Sequence, residues 1–98
     1  MIISITLGKA YYYQGFFNIK IAYNHLIAGN GEPIKIQLGI NGVIIEKLIN
    51  RTASPNGTPR IIAGIQYSQW IQTNYKLGDQ MKVQIVSPNF IILFAKGE

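Results

Sequence analysis

The chain has 98 residues, enough for one domain with a single core and little to spare. A hydrophobic fraction of 48% against 13% charged residues describes a chain that folds, and the absence of cysteine excludes disulfides, thiolate zinc sites and cysteine nucleophiles. Nine Lys and Arg against four acids give +5 at neutral pH, a balance that favours an anionic partner such as nucleic acid or a membrane surface.

The opening "MIISITLGK" is too short and wrongly flanked for a signal peptide or a membrane span, and no later apolar run reaches membrane length, so no membrane partner is expected. "IISITL" (2 to 7) alternates as a strand does. "GKAYYYQG" (8 to 15) breaks the pattern, and "FFNIKI" (16 to 21) resumes it. "AYNHLIA" (22 to 28) supports one or two helical turns, and "GNGEP" a turn. "IKIQL" (34 to 38) and "VIIEKLI" (43 to 49) flank "GING", whose Asn41-Gly42 pair offers the positive φ of a tight hairpin. After a polar loop, "RIIAGI" is extended. "QYSQWIQTNY" (66 to 75) is helical, with Tyr67, Trp70, Ile71 and Tyr75 on one face and Gly78 as a left-handed cap. "QMKVQIV" (80 to 86) places Met81, Val83 and Ile85 inward and Lys82 and Gln84 outward, and "FIILFA" (90 to 95) closes the chain. The fold expected is mainly β, one domain over 1–98: an open seven-stranded pseudobarrel, largely antiparallel, with one or two short helices.

Two polar segments carry the functional reading. "INRTASPNGTPRI" (49 to 61) holds both arginines of the chain, Arg51 and Arg60, at the two ends of a loop. Ser54-Pro55-Asn56-Gly57 has the chemistry of a type I turn with a left-handed glycine, so 49–54 and 58–63 read as two arms of a hairpin. In that register the arginines are direct or diagonal neighbours, a like-charge pairing that costs up to about 1 kcal/mol and that an external anion would offset. The forked guanidinium matches guanine O6 and N7, Asn56 can bond adenine, and Thr52, Ser54 and Thr58 can donate to phosphate. Gly57 lets the backbone approach closely. A polar solvated hairpin is the alternative reading.

The second segment is "GKAYYYQG". Read as a strand, Tyr11, Tyr12 and Tyr13 point to alternating faces, so at least one hydroxyl is exposed. Lys9 and Gln14 flank them, completing a second contact arm. The alternative is one core tyrosine with two at the rim.

The order of elements resembles the B3-like DNA-binding pseudobarrel, shared by plant transcription factors and the recognition domains of certain prokaryotic restriction endonucleases. "YSQWIQTNYKLGDQMKVQIVSPNFIIL" (67 to 93) and "FFNIKIAYNHLIAG" (16 to 29) carry the likeness, and "INRTASPNGTPRI" resembles the restriction-enzyme branch. The resemblance implies double-stranded DNA gripped in its major groove by arms 8–15 and 50–60, through Lys9, Tyr11, Tyr12, Tyr13, Gln14, Asn50, Arg51, Thr52, Ser54, Asn56, Gly57, Thr58 and Arg60. It also implies a prokaryotic, cytoplasmic, nucleoid-associated setting, with cutting done by a nuclease domain or subunit that is not visible in this compact chain.

Catalysis within the chain is not expected. Asp79 and Lys82 lack a second nearby carboxylate for magnesium, and Glu46-Lys47, Glu32, Glu98 and the single His25 complete no set, so neither metal nor cofactor is nominated. Two other functions compete: an OB-type single-strand binder stacking bases on Tyr11, Tyr12, Tyr13 and Phe16, and a β-domain for oligomerisation or carbohydrate binding.

Overall fold

The computed structural model describes all residues, 1–98. Seven strands form one mixed sheet curved into a half-barrel: β1 (Ile2–Thr6), β2 (Phe16–Asn18), β3 (Pro33–Leu38), β4 (Ile44–Asn50), β5 (Arg60–Ile62), β6 (Gln80–Ser87) and β7 (Phe90–Leu93). Their order across the sheet is β1-β6-β7-β3-β4-β5-β2, which leaves β1 and β2 as the two edges. The helices are α1 (Lys9–Tyr13), a 3₁₀ helix (Ile21–Leu26) and α2 (Gly64–Asn74).

The core follows from the alternation in the strands. Ile3 and Ile5 of β1, Ile34, Ile36 and Leu38 of β3, Met81, Val83 and Ile85 of β6, and Ile91 and Leu93 of β7 all face inward and are buried. α2 fills the concavity with Tyr67 and Ile71, and the Tyr67 ring lies 5.4 Å from that of Phe17 on β2. Trp70, expected on the same face, is only partly buried and meets Tyr75 edge-on at 6.2 Å.

Several expectations need correction. The pairing is not wholly antiparallel: β3 and β7 run parallel, which their long separation in the chain allows. Residues 8–15 are not a strand. α1 closes there with bonds from the Tyr12 and Gln14 amides to the carbonyls of Gly8 and Ala10. β2 stops at Asn18 rather than Ile21, because the chain turns into the 3₁₀ helix at Ile21. "RIIAGI" is extended only to Ile62, and α2 already begins at Gly64.

The turn between β3 and β4 works differently from a positive-φ Asn-Gly pair. Gly39 carries the positive φ of 91°, and the Gly42 amide bonds the Gly39 carbonyl at 3.1 Å. Gly42 is needed for contact instead: a Cβ there would fall 1.6 Å from the Leu38 carbonyl oxygen. Gly78 has the left-handed φ expected, 90°, but it serves the turn after the helix. Its amide donates to Leu7, and the Asp79 amide to Lys76. The Asp79 carboxylate also accepts from the Lys76 amide and pairs with Lys96 at 2.9 Å, and these contacts, that from Lys76 first, hold its pKa below the ordinary value.

Candidate functional site

The loop between β4 and β5 leaves the ladder early. Only Ile49 with Ile61 and Asn50 with Arg60 are paired, so Arg51 faces no partner strand. The cause is local. Asn50 Oδ1 accepts from the amides of Thr52 and Ala53, both at 2.9 Å, and from the Thr52 hydroxyl, bending the chain out of extension. The Ser54 to Gly57 turn forms as its residues dictate: the Gly57 amide bonds the Ser54 carbonyl at 3.1 Å and Gly57 has a φ of 75°. Beyond it Asn56 Oδ1 accepts from the Thr58 hydroxyl at 2.7 Å and the Thr58 amide at 3.2 Å. Asn50 and Asn56 thus shape this loop with their side-chain oxygens.

The two arginines have separate surroundings. Arg51 is half-buried and turns toward the 3₁₀ helix. Its Nε donates to the Ala28 carbonyl at 3.0 Å, and its Nη2 to the carbonyls of Asn24 and Ile27, each at 2.7 Å. Its Nη1 donates to the Gly57 carbonyl at 3.0 Å and to Asn24 Oδ1 at 3.4 Å. These five bonds match the five N–H groups a guanidinium has. Arg60, on β5, spends one donor: its Nε bonds Asn18 Oδ1 at 3.1 Å. Its Cζ lies 4.4 Å above the Phe16 ring, and neither terminal nitrogen has a partner in the chain.

The three tyrosines of the first segment also diverge. The Tyr11 ring meets Phe16 edge-on at 5.7 Å, next to the ring that carries Arg60. The Tyr12 hydroxyl donates to the Tyr75 carbonyl at 2.8 Å. Tyr13 is 57% exposed. α1 is fixed to α2 from below: the Tyr67 hydroxyl donates to the Tyr11 carbonyl at 3.1 Å and Gln72 Nε2 to the Tyr12 carbonyl at 3.1 Å. Burial, aided by nearby Tyr11, pushes the Tyr67 pKa well above that of a free phenol, so it remains a donor.

Both segments meet at the seam where the barrel fails to close. A groove of about 350 Å³ lies between the edge strands, lined by Ile5, Thr6, Tyr11, Asn18, Lys20 and Thr58. Tyr11 comes from the first polar segment and Thr58 from the second, and Arg60, outside the lining, bonds the lining residue Asn18. No carboxylate lines it. The remaining predicted residues spread outward. Lys9 opens α1 and is exposed. Thr52 and Asn56 lie exposed on the loop, and Ser54 is half-buried. Tyr13 and Gln14 line a different, uncharged groove with Ile65, Ser68, Gln69 and Gln72.

Asn18 and Lys20 were not among the residues expected at the site. Their signal was present: they are the polar positions of the alternating "FFNIKI", Asn18 on the outward side of edge strand β2 and Lys20 just past its end. The acids stand elsewhere. Glu98 accepts from the amides of Ile40 and Ala95, Glu46 lies opposite Lys35, and no three acidic or imidazole side chains converge. Comparison of the chain with known protein families, with curated proteins and with solved structures finds no match.

Proposed function

We propose that this chain is a sequence-specific double-stranded DNA-binding module, the target-recognition part of a restriction system whose cutting is done by a separate domain or subunit. One observation carries the proposal: at the seam of the half-barrel, residues of both polar segments and Lys20 line a groove without a carboxylate, and Arg60 bonds one of the lining residues, Asn18. The free fork of Arg60 has the geometry to bond two acceptors on one guanine edge or one phosphate. Thr6 and Tyr11 add hydroxyls for backbone contacts, whereas Thr58, expected from the sequence to donate to phosphate, is buried and its hydroxyl already donates to Asn56. An open half-barrel with short helices is also the architecture that the B3-like resemblance implies.

The aromatic side chains favour duplex over single strand. Stacking of unpaired bases needs a row of open rings. Tyr67 and Phe17 are buried, Tyr11, Tyr12, Phe16 and Trp70 are partly buried, and Tyr13 alone is strongly exposed.

The test is fluorescence anisotropy of labelled duplex and single-stranded DNA across a salt series. If Lys9, Lys20 and Arg60 neutralise three phosphates, the log–log slope is about −2.7, and duplex affinity falls about forty-fold from about 50 to about 200 mM salt. A flat salt response, or tighter binding to single strands of the same sequence, contradicts the proposal.

A further inference from the structure

We infer that Arg51 is a positioning residue, a latch that holds the 51–59 loop rigid in the free protein, and that it does not itself touch DNA. The inference deepens the proposed function and rests on it for the ligand, but the latch is a property of the chain alone. Five hydrogen bonds of one side chain run to two separate places. Four go to the end of the 3₁₀ helix and its exit: the Asn24, Ile27 and Ala28 carbonyls and Asn24 Oδ1. The fifth goes to the Gly57 carbonyl at the far side of the loop. The Asn24 carbonyl already accepts from the Ile27 amide at 3.3 Å, so Arg51 adds a second bond there, and a cation suits the carbonyls gathered at a helix C-terminus. The backbone of Arg51 is held as well, its amide donating to Asn30 Oδ1 at 2.8 Å.

The consequence for the groove runs through one peptide. Gly57 precedes Thr58, which lines the seam. Fixing the Gly57 carbonyl fixes where Thr58 stands, and the Asn56 bonds to Thr58 complete the arrangement. A loop ordered beforehand costs less to order on binding, so Arg51 acts on affinity by preorganisation. Lysine cannot replace it. A single ammonium has three donors at one point and cannot span the two acceptor clusters.

Nuclear magnetic resonance of the arginine side chains tests this in the intact protein, where the chain's two arginines give a simple spectrum. In the free protein Arg51 should show separate, slowly exchanging Nη protons, while those of Arg60 average with solvent. Added duplex should move the Arg60 resonances and leave those of Arg51 in place. Averaged Arg51 protons in the free protein, or Arg51 resonances that shift as far as those of Arg60 on binding, overturn the inference. A duplex that moves neither arginine, with the Arg51 protons still slow, leaves the latch standing and removes the DNA proposal. Amide exchange supplies the second readout. Arg51→Lys should raise exchange at Gly57 and Thr58 about tenfold or more while Ile36 and Val83 in the sheet change little, and should weaken duplex binding without changing the salt slope. A lysine variant with native loop protection and native affinity also overturns it.

Discussion

Replacing Arg60 by alanine separates a folding contribution from a binding one, and both can be worked from the structure. In the free protein the side chain has one hydrogen bond to Asn18 and a cation–π contact with Phe16. A hydrogen bond of this kind contributes about 1 kcal/mol net and a partly exposed cation–π contact about 0.5 to 1 kcal/mol. Arg60→Ala should therefore cost about 1 to 2 kcal/mol of stability, a fall in Tm of about 5 to 15 °C for a domain of this size. Domains commonly have about 5 to 15 kcal/mol, so the variant stays folded at room temperature. On the preferred duplex it should lose a further about 1 to 3 kcal/mol of binding, or about five- to 150-fold in Kd, and the salt slope should become shallower by about 0.9. Arg60→Lys should restore the slope and leave most of the sequence preference lost, because an ammonium keeps the charge without the fork. Anisotropy titrations at several salt concentrations, with circular dichroism on the same samples, provide both numbers. A folded Arg60→Ala protein that binds duplex with unchanged affinity and slope would refute the assignment of this side chain to the interface.

Two predictions concern the fold that supports the groove. Gly42→Ala forces a Cβ to within 1.6 Å of the Leu38 carbonyl oxygen, backbone that cannot swing aside. It should cost at least about 2 kcal/mol in urea denaturation. Gly8→Ala, at an extended φ of −67° with open space around it, should stay within about 0.5 kcal/mol of wild type, and equal losses at both glycines would contradict the turn geometry. The tyrosines make the second prediction. Burial raises the pKa of Tyr67 and Tyr75, first through desolvation, then through Tyr11 for the former and Glu98 and Asp79 for the latter. Because both are raised in the folded state, their contribution to stability is fully present below about pH 10, the unfolded phenol value, and is lost as pH rises beyond it. Phenolate absorbance should therefore rise in two phases, the late one coinciding with loss of the circular dichroism signal. Tyr67→Phe should shrink that late phase, and a single smooth titration in the folded state would contradict the burial.

Much of the architecture was legible because strands advertise themselves by period. β1, β3, β4 and β6 bury every second residue almost as written, and the Ser54 to Gly57 turn forms from its own four side chains. α1 was not legible: five residues give no helical period, and three tyrosines in a row have strand propensity. α2 braces it, Tyr67 and Gln72 donating to its Tyr11 and Tyr12 carbonyls. The position of Gly42 as a contact rather than a φ requirement was hidden for the same reason, since the Leu38 carbonyl that it meets is placed by the finished turn. The loop sequence foretold that two arginines matter, but not that they divide. The acceptors that engage Arg51 are mostly 23 to 27 residues upstream, in a segment whose 3₁₀ form no local pattern fixes.

The central claim is that the seam groove is where duplex DNA sits, and amide chemical-shift mapping during titration with a duplex tests it most directly. The account predicts that shifts concentrate at Thr6, Tyr11, Asn18, Lys20 and Thr58 with the Arg60 side chain, while Gln69 and Gln72 beside the other groove and Ile44 and Leu48 on the exposed face of β4 stay still. Shifts centred on those latter residues, with the seam unmoved, would contradict it.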